Sequence, residues 1–249
     1  MTRNAWYLRC TSDQVGEDAI IVGDRGRVLL ATELLDDAIV LNEDRGLTTA
    51  SGTYRGRQIT VSAFGMGAPI ASVVLHELAY LGVQRVLRIG TVMTANDTQL
   101  GDFVVAHGAI RGEGTSKSYL PVEYPAVPDF DLTRAAEQAV LQLGRPLRRG
   151  VFDSQDSFYT DMMRRDDPAG QAELVARHQR ERVVGIDMET SAVFVVARAL
   201  GISAASLCLA SVDGADYSKL DEAPRQEAEL ELLKAGLEAL VSMPPSATN

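Results

Sequence analysis

The chain has 249 residues, of which 46% are apolar and 23% charged, with a formal net charge of −10 and a pI near 4.8. That balance argues against a nucleic-acid or anionic-membrane surface, which needs a positive footprint, while the apolar content suffices for one large α/β core. Cys10 and Cys208 have neither paired nor metal-type spacing, no early apolar run has signal-peptide length, and none reaches the roughly 20 residues of a membrane helix, so a cytoplasmic location is expected.

In chain order, the first β-branched run spans residues 19–22 and leads into Gly23-Asp24-Arg25-Gly26-Arg27. A glycine-rich turn between strand and helix lets backbone N–H groups approach an anion, and Arg27 could add a charged fork; an ordinary turn is the alternative. A second strand over 58–64 runs through Gly65-Met66-Gly67 into a helix over 69–81. Val73, Val74, Glu77 and Leu81 hold helical spacing there, with Pro69 suited to the first turn. This strand–glycine–helix order invites comparison with a dinucleotide fingerprint, but position 70 is Ile70 and the next strand closes on Arg88-Ile89-Gly90 instead of an acid.

The third strand, 85–89, places Arg88 inside an apolar run just before Gly90 and Thr91. Arginine is rarely buried without a partner, so Arg88 is either half of a structural ion pair or a bidentate clamp on phosphate assisted by the Thr91 hydroxyl. A strand over 103–109 follows, then a helix over 129–143 that stops at Gly144. A strand over 183–188 delivers Asp187-Met188-Glu189 to a nearly all-apolar helix over 189–200. Two carboxylates at a buried join need partners. Vicinal sugar hydroxyls would serve, with methionine packed on the ribose face; capping of the following helix is the equal alternative. A strand over 204–212 and a helix over 223–243, with Leu230, Leu233, Leu237 and Leu240 on one face, close the chain before a tail at 244–249 expected to be disordered. His76, His107 and His178 show no metal-ligand spacing and read as structural, so no metal is expected.

Alternating strands and helices predict a single α/β domain over residues 1–243, three-layer α/β/α with a mixed, largely parallel central sheet. Ligands in such folds bind beyond the carboxyl ends of strands. The informative loops are therefore those after Val22, Phe64, Ile89 and Met188.

Taken together these segments resemble the nucleoside phosphorylase family of hexameric bacterial purine nucleoside phosphorylase and uridine phosphorylase, from about Trp6 to about Val241. The markers stand in the family's order. They are Gly23-Asp24-x-x-Arg27, Asn42-x-x-Arg45-Gly46 with Gly52-Thr53-Tyr54-Arg55-Gly56, and Gly65-Met66-Gly67-x-Pro69. Arg88-x-Gly90-Thr91, Gly101-Asp102-x-Val104-Val105, Arg111-x-x-Gly114-Thr115-Ser116, Asp156-x-Phe158-Tyr159 and Met188-Glu189 follow. The resemblance implies that inorganic phosphate is the co-substrate and that no other cofactor is needed. Phosphate would be bound by Gly23, Arg27, Arg88 and Thr91, with Arg45 entering from a partner subunit. Ribose would be bound by Met66, Met188 and Glu189, with Tyr7 from the partner, and the base by Phe158, Arg164 and Asp187. It also implies a homo-oligomer built on a dimer, a hexamer in the family.

Three departures concern the base. Val92-Met93-Thr94 stands where the family places a glycine against it. The position of the aspartate that protonates purines falls on Val212, so Asp213 serves as a catalytic acid only if its loop shifts by one residue. Met162 replaces the uracil-reading glutamine, although Arg164 matches its arginine. The expectation is a phosphorylase that favours purine nucleosides, with a uridine phosphorylase as the alternative. A nucleosidase, which would have no use for Arg27, Arg45 and Arg88, and a non-catalytic nucleoside-binding paralogue remain further alternatives.

Overall fold

The structure, a computed structural model, describes residues 2–245; of the tail expected at 244–249, residues 246–249 lie outside it. Among the described residues, nine strands alternate with six α-helices. The first half holds β1 (Asp18–Val22), α1 (Arg25–Thr32), β2 (Asp36–Asn42), β3 (Thr49–Tyr54), β4 (Arg57–Ala63), α2 (Ala68–Leu81) and β5 (Arg85–Thr94). The second holds β6 (Phe103–Arg111), α3 (Phe130–Gln142), β7 (Leu147–Ser154), α4 (Pro168–Glu181), β8 (Val183–Asp187), α5 (Thr190–Leu200), β9 (Ser203–Val212) and α6 (Glu222–Ser242).

The sheet is mixed, in the order β2-β3-β4-β1-β5-β8-β7-β6-β9, and β9 returns to pair with β5. Strands β5, β8, β7, β6 and β9 thus close on themselves, and β1 to β4 extend from β5 as an open wing. β5 is the hinge of this plan. It pairs in parallel with β1 and β9 and, at its far end, antiparallel with β8. Its ten residues are almost all buried, which is why they form a continuous apolar run instead of an alternating one.

Apolar side chains divide between the two sheet faces. One cluster joins Val74, Leu75 and Leu78 of α2 to Val193–Ala197 of α5. The other joins Val28 of α1, Leu132 and Val140 of α3, and Leu233 and Leu237 of α6. α5 is buried almost throughout its length because it lies between the sheet and α2.

Three strands escaped the sequence reading. β2 carries exposed Ile39 and Val40 at the sheet edge, β3 is rich in small and hydroxyl residues, and β7 opens with Arg148 and Arg149. β3 and β7 lack the β-branched apolar run that marks a buried strand, and β2 has only the short run at 38–41, largely exposed at the edge. β5 also continues to Thr94, past the expected end at Ile89, because Gly90 stays in the ladder opposite Cys208 of β9.

Candidate active site

Parallel register sets the site. Val22 lies level with Ala63 on one side and Ile89 on the other. The segments that follow therefore emerge side by side from one sheet edge. Gly23 and Gly65 touch through backbone: the Gly65 N–H donates to the Gly23 carbonyl at 3.0 Å. A Cβ on Gly23 would come within 2.8 Å of the Gly65 oxygen. β8 brings Asp187, Met188 and Glu189 to the same place, and a cavity of about 600 Å³ opens over all four strand ends. The four loops anticipated from the sequence converge.

Arg88 lies at the floor, only 3% exposed. Its guanidinium folds back over Gly90, two residues along the same strand face. A Cβ at Gly90 would stand 2.7 Å from Nη1, so glycine is what leaves room for the arginine. Nη1 donates to Cys208 Sγ at 2.8 Å and lies 3.2 Å from Asp187 Oδ2, while Nη2 donates to Glu189 Oε2. Burial pushes the Cys208 thiol up, with the Arg88 charge opposing it. Gly90→Ala is expected to lower kcat/KM about 100-fold by displacing this guanidinium, with a smaller effect on Tm. Parallel kinetics and thermal melting check that split.

The two carboxylates at the head of α5 have different partners. Asp187 accepts from the Thr190 N–H at 3.2 Å, from the Thr190 hydroxyl and from Ser154 Oγ at 2.6 Å. It holds the helix start while also lining the cavity, where the sequence expected it to bind the base. Glu189 makes no capping bond to α5. Its Oε1 instead accepts from the Gly67 N–H at 2.7 Å, tying β8 to the loop after β4 and setting the carboxylate beside Arg88.

Arg27 also lines the cavity, 7% exposed, with Nη2 donating to Glu229 of α6 at 3.0 Å. The Nε groups of both Arg27 and Arg88 are buried with no partner. Such a donor costs roughly 1–3 kcal/mol when left unmet, and Arg164 and Arg177 carry the same orphaned Nε away from this cavity. Thr91 and Gly23 line the same cavity. In the same turn the Gly26 N–H is occupied by Asp24 Oδ1 at 2.8 Å, which caps α1.

Tyr7 and Arg45 lie apart from the cavity lining but together. Arg45 adopts a left-handed φ of 57° and sets its guanidinium 5.5 Å from the Tyr7 ring centre. Asn42 Nδ2 bridges the carbonyls of Tyr7 and Leu47, fastening the N-terminal segment to this turn. Glu77 of α2 accepts from the Tyr7 and Leu8 N–H groups. Met66 stands at the rim, 83% exposed, and Met188 is half-buried in the wall.

Phe158 lines the cavity, but Arg164 is not among the lining residues; its Nη1 would sit 3.0 Å from a Cβ at Gly170, at the start of α4. Asp213 is likewise outside. Its Oδ1 accepts from the Ala215 and Asp216 N–H groups, forming a turn beside a second, smaller cavity, while Val212 faces the first. Arg164, expected to bind the base, and Asp213, expected as a catalytic acid if its loop shifts, are thus placed outside this cavity lining. The Gly67 N–H and the Cys208 and Ser206 groups behind Arg88 went unread, because backbone donors and core-facing strand residues leave no charge pattern. Among the described residues no group of three or more metal-ligating side chains comes together, and no helix is long and apolar enough to cross a membrane.

Comparison with known proteins bears on this geometry. Residues 17–240 match the profile of the Phosphorylase superfamily. A guanosine phosphorylase of Halorubrum lacusprofundi is 36% identical over 209 residues, 84% of this chain and 82% of that protein. A uridine phosphorylase of Thermococcus kodakarensis is 32% identical over 208 residues, 82% of this chain and 75% of its own length. The crystal structure of uridine phosphorylase from Vibrio fischeri ES114 superposes with a TM-score of 0.86 at 30% identity, covering 96% of this chain and 98% of that one.

Proposed function

This chain belongs to the phosphorylase superfamily and is a nucleoside phosphorylase, and from that premise we propose that it cleaves purine nucleosides in preference to uridine, phosphate being held between Arg27 and Arg88 and ribose by Glu189. The observation that carries the phosphate assignment is the convergence of two buried arginines, Arg27 and Arg88, with Gly23 and Thr91 on one cavity. Phosphate attacks C1′ as the glycosidic bond loosens, positive charge develops on the sugar, and the arginines position the nucleophile. Glu189 accepts from the ribose hydroxyls while Met66 and Met188 pack against the sugar, and Gly23 and Thr91 complete the phosphate cradle. Phe158 stacks on the base. The reaction uses inorganic phosphate as co-substrate, invokes no metal, and is assigned to the cytoplasm.

Purine preference rests on Met162, which lines the cavity where uracil recognition would want an amide, and on Arg164 standing outside it. Similarity to a guanosine phosphorylase supports it. Uridine is the second reading, favoured by similarity to several uridine phosphorylases. Release of free base from guanosine, inosine and uridine, each with and without phosphate, tests the proposal: purine release should require phosphate and exceed uracil release. Release independent of phosphate would replace it with hydrolysis.

We also propose a dimer-based assembly, a hexamer of three dimers, in which Tyr7 and Arg45 reach the partner's cavity. Both are held as one exposed unit outside their own cavity lining, with Trp6 beside Tyr7 and 83% exposed. A two-fold interface makes such lending reciprocal. Mixing inactive Arg45→Ala and Glu189→Ala chains under subunit exchange should restore about a quarter of wild-type activity, since half the dimers are mixed and each has one intact site. No recovery despite proven exchange would sink the idea.

A further inference from the structure

Away from the arginines, the cavity wall is a separate apolar cluster. Its buried members include Met93, Met162 and Ile186, and Phe158, Met188 and Val212 are among the residues packed on them. All six also line the cavity. β-Pairing builds this wall: Met93 of β5 sits opposite Ile186 of β8 on one side and Val212 of β9 on the other. Met162 and Ile186 line the second cavity from behind, so they stand between the wall and Asp213, whose carboxylate is engaged by its own turn.

The polar side chains lining the first cavity are occupied otherwise. Asp24 caps α1, Asp187 caps α5 and pairs with Arg88, and Glu189 accepts from Arg88 and Gly67. The hydroxyls of Ser211 and Thr91 can donate a hydrogen bond but are not acids near neutral pH. Among the described residues lining the cavity, then, each carboxylate is engaged by other partners, both oxygens of Asp187 included, and there is no imidazole.

We propose that this wall holds the base by packing alone and gives it no proton, so that its preferred substrates are nucleosides whose base departs readily unprotonated, above all purine nucleosides already cationic at N7. The inference rests on the phosphorolysis reading above. In the reaction a phosphate oxygen forms a bond to C1′, the C1′–N bond breaks, and its electron pair stays on the base nitrogen. A neutral purine nucleoside must then release the base as an anion, which takes its proton from water after leaving the wall. An N7-methylated purine nucleoside carries the positive charge beforehand and releases a neutral base. An enzyme with a positioned general acid hides that difference, because the acid contributes roughly 10²–10⁴-fold to the neutral substrate only.

The test compares kcat/KM, at saturating phosphate, for inosine and guanosine with their N7-methylated counterparts. The methylated members should be faster by about 100-fold or more. Asp213→Asn should leave all four values within about twofold. Comparable rates for parent and methylated nucleosides, or a loss in Asp213→Asn confined to the neutral parents, would overturn the inference while leaving phosphorolysis standing. No phosphate-dependent release from any of the four would instead overturn the phosphorolysis reading, and this inference with it.

Discussion

Arg88→Ala is expected to lower kcat/KM for phosphorolysis by roughly 30- to 5,000-fold, the equivalent of about 2–5 kcal/mol for truncating one partner of a desolvated charge pair. The reason is double. The variant loses the guanidinium that, in the proposal, faces phosphate, and it strands Glu189 and Asp187, both buried and both paired to Arg88 in the native site. Breaking a buried pair in this way also destabilises the fold, by roughly 3–5 kcal/mol. Stability and catalysis are separated by measuring initial rates against phosphate concentration well below the melting temperature. The loss should be steepest at low phosphate. A folded Arg88→Ala enzyme with near-normal phosphorolysis at low phosphate would remove Arg88 from the phosphate site and leave it a purely structural ion pair.

Glu189→Gln is the second large effect. The change preserves shape and leaves an acceptor for the Gly67 N–H, but removes the charge that faces Arg88 and, in the proposal, the ribose hydroxyls. Hydrogen bonds to a charged group are worth about 1.5–3 kcal/mol, so kcat/KM on ribonucleosides should fall about 10- to 200-fold. Tm should shift much less, because Asp187 and not Glu189 holds the start of α5. 2′,3′-Dideoxynucleosides, lacking the hydroxyls, should discriminate far less between the two enzymes. A variant that melts much earlier yet keeps its specific activity would reverse the division of labour between the two carboxylates.

The sequence was legible wherever a residue stood against its surroundings. Arg88 in an apolar strand and Asp187-Met188-Glu189 at an apolar strand–helix join both announced a buried polar site, and four strand ends do meet there. Asp187 and Glu189, which composition left open between capping and ribose binding, differ in orientation: at the join of β8 and α5 one reaches Thr190 and Ser154, the other Gly67 and Arg88. Strand β5 was read too short because glycine normally weakens a strand, whereas Gly90 is kept to make space for the Arg88 guanidinium. The apolar wall of Met93, Met162, Ile186 and Val212 was invisible as a unit, since its members come from four distant segments and look like ordinary core. Asp213 misled for the opposite reason. An acid one residue from a required position reads as a candidate, but its backbone turn directs it to Ala215 and Asp216.

The central claim is that phosphate, and not water, is the nucleophile that Arg27 and Arg88 position in this cavity. Phosphorus NMR of the enzyme with a purine nucleoside and inorganic phosphate tests it directly. A ribose 1-phosphate signal should grow in step with free base, at one equivalent of phosphate consumed per base released. Base accumulating with free ribose and an unchanged phosphate signal would contradict the account.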